Sequence, residues 1–191
     1  MSERNELYPI FLKVHQLQVL IVGGGNVAME KLSFLLKSSP NAKVQLVAPE
    51  IREEVKELAA KHHVELVGDV YNINYLQGKD MVIATTDKPE VNIQVYKDCK
   101  AQNTLVNVAD TPQYCDFYLG GIVTKGNVKI AISTNGKSPT TAKRLRQFFE
   151  EVIPEDINQL VVNLNKFRKT IKGDFEKKLE TLNKLTESLI E

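Results

Sequence analysis

Val19-Leu20-Ile21-Val22-Gly23-Gly24-Gly25-Asn26-Val27-Ala28 decides the fold. Four consecutive apolar residues run into three glycines, as a strand buried on both faces does where it leaves a sheet. From Val27 to Lys37 the apolar spacing becomes helical, with Leu32, Leu35 and Leu36 on one side, and Ser38-Ser39-Pro40-Asn41 closes the helix. The turn between them reads G-x-G-x-x-A. In a strand–turn–helix setting this spacing marks a dinucleotide site. Gly23 permits the tight turn, Gly25 lets backbone approach a pyrophosphate, and Ala28 lets the helix pack close to the sheet. The first amides of such a helix lack intrahelical acceptors and suit a phosphate. A glycine-rich turn with no ligand is the alternative; against it stands the entropic cost of three glycines in a row with no packing return.

Working outward, short apolar runs alternate with helical patterns as far as residue 110. Lys43–Ala48 is a second strand, stopped by Pro49; residues 50–62 are an amphipathic helix with Val55, Leu58 and Ala59 inward. Val64–Val67, Met81–Ala84 and Thr104–Val108 are further strands, the last preceded by a helix over 89–101. This alternation predicts α/β architecture on a parallel, Rossmann-type sheet. After about residue 112 the pattern changes. Gly121–Thr124 and Val128–Ile132 flank Lys125-Gly126-Asn127 as a hairpin, and Ser138-Pro139 opens a helix. Residues 155–191 are helical in pattern. Ile157, Leu160, Val161, Leu164, Phe167 and Ile171 form one stripe, Phe175, Leu179, Leu182, Leu185 and Leu189 another, with Gly173-Asp174 as the break. Such stripes must pack against something.

The 191 residues, 42% hydrophobic and 26% charged, are those of an ordinary globular protein. A net charge of +1 excludes nucleic acid or a membrane as a partner held by bulk electrostatics. The start of the chain lacks a signal-peptide pattern and no run is long enough to span a bilayer, so a cytoplasmic location is expected. Cys99 and Cys115 form no CxxC pair and read as free structural thiols. His15, His62 and His63 have no metal-site spacing, and no metal site is expected.

An acid is usual at the end of the second strand, where it meets the ribose of NAD. Ala48-Pro49 stands there instead; Glu50 is the nearest carboxylate, and Arg52 close behind leaves only a mild preference for NAD over NADP. The expected cofactor contacts are Gly23, Gly25, Asn26, Val27, Pro49, Glu50, Thr85 and Thr86.

Several separated motifs resemble one family. They are Pro9-Ile10-Phe11-Leu12, Val22–Ala28 with Lys31, Ala84-Thr85-Thr86-Asp87, Asn107-Val108-Ala109-Asp110, Cys115-Asp116-Phe117 and Ile132–Pro139. Together, over residues 7 to 146, they resemble precorrin-2 dehydrogenase, the NAD-dependent module of siroheme synthases. The resemblance implies oxidation of the tetrapyrrole precorrin-2 to sirohydrochlorin with NAD. It also implies a Rossmann domain (1–112), a dimerisation region (113–146) and a helical domain (147–191). A homodimer is expected from the apolar hairpin as well. Some family members also insert iron, and some carry a fused methyltransferase, for which this chain ends too early.

Asp110 lies just past a parallel strand, where ligands of open sheets bind. By resemblance it matches the family's essential aspartate, and a carboxylate there suits the role of general base; capping of the Thr111-Pro112 turn is its other reading. Ser133, Thr134, Asn135, Gly136, Lys137 and Ser138 precede a helix N-terminus and are the expected receivers of the substrate carboxylates, with Lys143, Arg144 and Arg146 adding charge; an ordinary capped helix with a solvated basic face is the other reading. Two alternatives stay open: a bifunctional enzyme that also inserts iron, and a nucleotide-sensing module without catalysis.

Overall fold

A computed structural model describes residues 4–172 and 174–187. The chain divides into two compact units at Leu119 and Gly120.

In the first unit, five strands run parallel: β1 (Gln18–Val22), β2 (Lys43–Val47), β3 (Glu65–Val67), β4 (Met81–Ala84) and β5 (Leu105–Val108). Their order is β3-β2-β1-β4-β5. Helices α1 (Asn26–Ser38), α2 (Glu53–His62) and α3 (Pro89–Ala101) connect them. A single 3-10 turn, Ile73–Leu76, is the helical element between β3 and β4.

Because successive strand residues point to opposite faces, the apolar runs divide into two cores. Val19, Ile21, Leu46 and Ile83 pack with Leu32 and Leu36 of α1 and Val55 and Ala59 of α2. Leu20, Val22, Val82 and Val106 pack with Val95 and Cys99 of α3. Both expected stripes of α1 and α2 thus face the sheet, with Leu35 and Leu58 partly buried at its margin. Cys99 and Cys115 are both free thiols.

The second unit begins with the antiparallel hairpin β6 (Gly121–Lys125) and β7 (Val128–Ile132). Asn158 holds its two-residue turn, accepting from the Asn127 backbone and side-chain amides, each at 2.8 Å; Lys125 is also ion-paired with Glu155. Three helices follow: α4 (Pro139–Val152), α5 (Ile157–Thr170) and α6 (Phe175–Thr186). Asp174 caps α6 by accepting from Lys177 N at 2.9 Å, whereas Gly173 and Leu189 lie outside the described residues.

Ile157 to Phe167 of the first stripe lie on α5, with Ile171 just past its end, and Phe175 to Leu185 of the second lie on α6, but no described residue of α4, α5 or α6 is fully buried. Leu145, Phe148, Val152, Phe167, Phe175 and Leu179 all remain exposed. Among the described residues no helix is long and apolar enough to cross a membrane.

Candidate functional site

β1 pairs with β2 on one side and with β4 on the other, so the strand order reverses between β1 and β4. Ligands of open parallel sheets bind at the carboxyl ends of the strands beside such a reversal. The glycine turn after β1 and Thr85-Thr86 after β4 meet there. Gly23 N donates to Val47 O at 2.9 Å, and Thr85 donates to Val22 O through both N (2.8 Å) and Oγ1 (2.9 Å).

The three glycines have three different reasons. Gly23 has φ +123°, and a Cβ there would lie 2.5 Å from Thr85 Oγ1. A Cβ on Gly24 would lie 2.3 Å from the Glu50 carbonyl oxygen, and Gly24 O accepts from Arg52 N at 3.0 Å. The expectation that the three glycines bring no packing return is therefore corrected: Gly23 and Gly24 admit close neighbours. Gly25 is different. Its φ is −90°, and a Cβ there would meet nothing within 4 Å.

That open space adjoins the N-terminus of α1, which has no side-chain cap and no acid in its first turn. Of the other helices, α2 has Glu53 and Glu54 in its first turn, α3 has Glu90, and Ser138 and Asp174 cap α4 and α6, whereas α5 shares with α1 the lack of both. Exposed backbone at Gly25 and Asn26, uncapped amides and the helix dipole fit a dinucleotide pyrophosphate. Val27 is half-buried, and Ala28 is fully buried against the sheet.

Pro49 and Glu50 are exposed at the end of β2. Arg52 is paired with Glu54, Nη2 to Oε1 at 2.8 Å and Nε to Oε2 at 3.2 Å. The Arg52 hydrogen bond, above all, holds the Glu54 carboxyl down to about 2. The Thr85 hydroxyl is engaged with Val22, and the Thr86 hydroxyl with Lys88 O (3.0 Å) and Asn92 Oδ1 (2.8 Å). These two residues therefore present mainly backbone and wall to a ligand.

Asp110 follows β5 with φ +57°, a left-handed conformation that Asp and Asn tolerate better than most residues. Its loop is clamped to β5. Asp116 N donates to Val106 O at 2.7 Å, and Asp116 Oδ2 accepts from Val106 N at 3.1 Å. Buried Asn107 donates through Nδ2 to Phe117 O at 2.8 Å, while Cys115 Sγ lies 3.2 Å from Val108 O and 3.4 Å from Val108 N. Tyr114 rests on Tyr96 of α3 with ring centroids 4.8 Å apart. Among the described residues, the exposed Asp110 carboxylate has no hydrogen-bond or ion-pair partner. The Thr111 hydroxyl bonds Ala109 O, and Thr111 N bonds Val108 O, so the turn holds without the Asp110 side chain.

In the second unit, the Ser133–Ser138 loop is closed by its own side chains. Thr134 Oγ1 donates to Ser138 O (3.1 Å) and accepts from Ser138 N (3.2 Å), and Ser133 Oγ accepts from Asn135 N (3.1 Å). Asn135 and Gly136 are left-handed. Lys137 N donates to Thr134 O at 3.1 Å, and Ser138 Oγ caps α4 through Thr141 N at 3.2 Å. Arg144 bonds Gln147 and Arg146 is paired with Glu150, whereas Lys143 is exposed.

The model of an NAD(P)-binding family matches residues 10–121, more than half of the chain, and the model for the central part of sirohaem biosynthesis proteins matches residues 125–151. The chain belongs to this NAD(P)-binding family. The siroheme synthase of Psychrobacter arcticus is 38% identical over 175 residues, which are 92% of this chain and 31% of that protein. The siroheme synthase of Pseudoalteromonas translucida is 39% identical over 168 residues, 88% of this chain and 35% of that protein. The chain thus spans about a third of the length of the curated relatives it matches. Its fold matches the solved structure of SirC, precorrin-2 dehydrogenase, with a TM-score of 0.74 at 24% identity, covering 94% of this chain and 89% of that one.

Within the family fold, sequence reasoning passed over two supports of the site. Asn92 is buried on α3 and pins Thr86 from both sides, Nδ2 to Thr86 O at 2.9 Å and Oδ1 from Thr86 N at 3.2 Å. Its signal was legible: it shares the inward face with Val95 and Cys99, where a lone polar residue needs a partner. The Arg52–Gly24 bond is between backbone atoms and left no signal in residue types.

Proposed function

We propose that the chain is a precorrin-2 dehydrogenase that uses NAD to produce sirohydrochlorin. The observation that carries this reading is the Asp110 carboxylate. It stands at the carboxyl end of the sheet, on a clamped loop, with no task in the fold. A nucleotide-sensing module has no use for such a group.

Bound NAD supplies the hydride acceptor. Gly23, Gly25, Asn26 and Val27 hold the pyrophosphate on backbone, Pro49 and Glu50 border the adenine ribose, and Thr85 and Thr86 wall the crevice. Glu50 offers an acceptor for a ribose 2′-hydroxyl and repels a 2′-phosphate, which supports NAD over NADP. Oxidation breaks a C–H bond whose electron pair leaves as hydride, and Asp110 takes the accompanying proton. Ser133, Thr134, Asn135, Gly136, Lys137 and Ser138 receive substrate carboxylates.

The same reading takes residues 1–112 as the cofactor domain, 113–146 as the dimerisation region and 147–191 as the helical domain, in a cytoplasmic homodimer. Support for the homodimer is the exposed apolar surface of α4, α5 and α6, together with Ile122 on β6. Sedimentation equilibrium at micromolar concentration yields a dimer mass on this reading; a monomer mass removes it. The activity itself is tested by following absorbance of the purified protein with precorrin-2 and NAD under anaerobic conditions. Formation of sirohydrochlorin and NADH in equal amounts is expected. Neither product forming overturns the assignment.

A further inference from the structure

We infer that Glu54 sets the choice between the two nicotinamide dinucleotides by occupying Arg52; the inference rests on the dinucleotide reading of the glycine turn. NADP differs from NAD by a ribose 2′-phosphate, and sites of this architecture accommodate that phosphate with an arginine past the second strand. Arg52 stands at that place. Its backbone N donates to Gly24 O at 3.0 Å, which fixes it against the glycine turn.

The guanidinium is nevertheless already engaged. Nε and Nη2, the edge that would grip two phosphate oxygens, both bond the Glu54 carboxylate, at 3.2 and 2.8 Å. Residues two apart do not face each other along a regular helix. This pair forms because Arg52 is the extended N-cap of α2, φ −61° and ψ 150°, while Glu54 lies in the first turn. The neighbouring acid Glu53 is directed elsewhere and pairs with Lys56 at 3.1 Å. Glu50 adds a carboxylate, without a partner among the described residues, on the same loop. A 2′-phosphate therefore meets a repelling carboxylate and an arginine that must first leave its partner. Selectivity arises from both elements.

The Arg52 and Glu54 side chains are 48% and 56% exposed, and an exposed pair of this kind is worth a factor of about two to five. The test is calorimetric titration of NAD+ and NADP+ into the full chain and three variants. Glu54→Gln is expected to tighten NADP+ about two- to fivefold and to leave NAD+ unchanged. Glu53→Gln removes the same charge one residue away and is expected to leave the NADP+/NAD+ ratio at its wild-type value. Arg52→Gln combined with Glu54→Gln is expected to abolish the gain. An unchanged ratio in Glu54→Gln, an equal gain in Glu53→Gln, or a gain that survives the double change overturns the inference while leaving the dinucleotide site intact. Failure of the wild-type chain to bind either dinucleotide overturns the site and the inference together.

Discussion

Thr85 stands where a side chain on Gly23 would have to go: a Cβ built there lies 2.5 Å from Thr85 Oγ1 and 3.0 Å from the Thr85 carbonyl carbon. The same hydroxyl donates to Val22 O at 2.9 Å, so one threonine joins β4 to the end of β1 and sets the width of the turn. Gly23→Ala meets both the positive φ and this contact. It is expected to destabilise the protein by about 1–3 kcal/mol, read as a lower urea midpoint. An unchanged midpoint shows that the turn relaxes and that Thr85 does not fix it.

Gly25→Asp separates cofactor binding from folding. The position has an ordinary φ of −90° and open space around a Cβ, and Asp is a favourable residue at a helix N-cap. Thermal stability should therefore be equal to wild type or slightly higher. NAD binding should be lost, because carboxylate and bulk then stand where the pyrophosphate approaches. Unchanged NAD affinity by titration calorimetry removes the glycine turn as a phosphate cradle.

The elements that the sequence made legible are those decided locally. The strand, glycine turn and first helix are written in consecutive residues. The hairpin over 121–132 and the Ser138-Pro139 start of α4 are set by turn and cap chemistry within a few positions. The strand order β3-β2-β1-β4-β5, the Arg52–Gly24 bond and the Asn107–Cys115–Asp116 clamp join residues that only the folded sheet brings together. The three glycines look alike in sequence, yet Gly23 and Gly24 serve packing and Gly25 leaves space. The helices of the tail were legible from period alone, but a stripe does not say what covers it, and α4, α5 and α6 bury no described residue completely.

Cys99 makes stability depend on alkaline pH. Burial on the inner face of α3 pushes its thiol up to about 12, with Asp98 adding to the shift. An unfolded thiol ionises near about 8.5. Between these values the unfolded chain binds fewer protons than the folded one, so stability is full below about pH 8.5 and falls as pH rises toward about 12. A full one-proton difference gives a slope of at most about 1.4 kcal/mol per pH unit. Urea midpoints measured between pH 8 and 10 are expected to fall less steeply for Cys99→Ala than for wild type. Parallel profiles mean that other groups carry the alkaline loss.

Asp110→Asn isolates the carboxylate from everything else at the end of β5. An asparagine tolerates the left-handed backbone at φ +57° about as well as an aspartate, whereas Ala adds strain. The clamp made by Asn107, Cys115 and Asp116 bonds to backbone and leaves the Asp110 side chain out, so the loop should keep its shape. Thermal stability and NAD affinity are expected to stay at wild-type values. Turnover of precorrin-2 should drop about a hundredfold to ten-thousandfold, the usual share of general-base catalysis, because an amide takes no proton at neutral pH. Substrate KM should change much less, since the carboxylates are assigned to Ser133–Ser138. Turnover within a few-fold of wild type refutes the catalytic role. A raised KM with kcat intact makes Asp110 a residue that positions substrate, and proton transfer then belongs to a different group at the sheet edge.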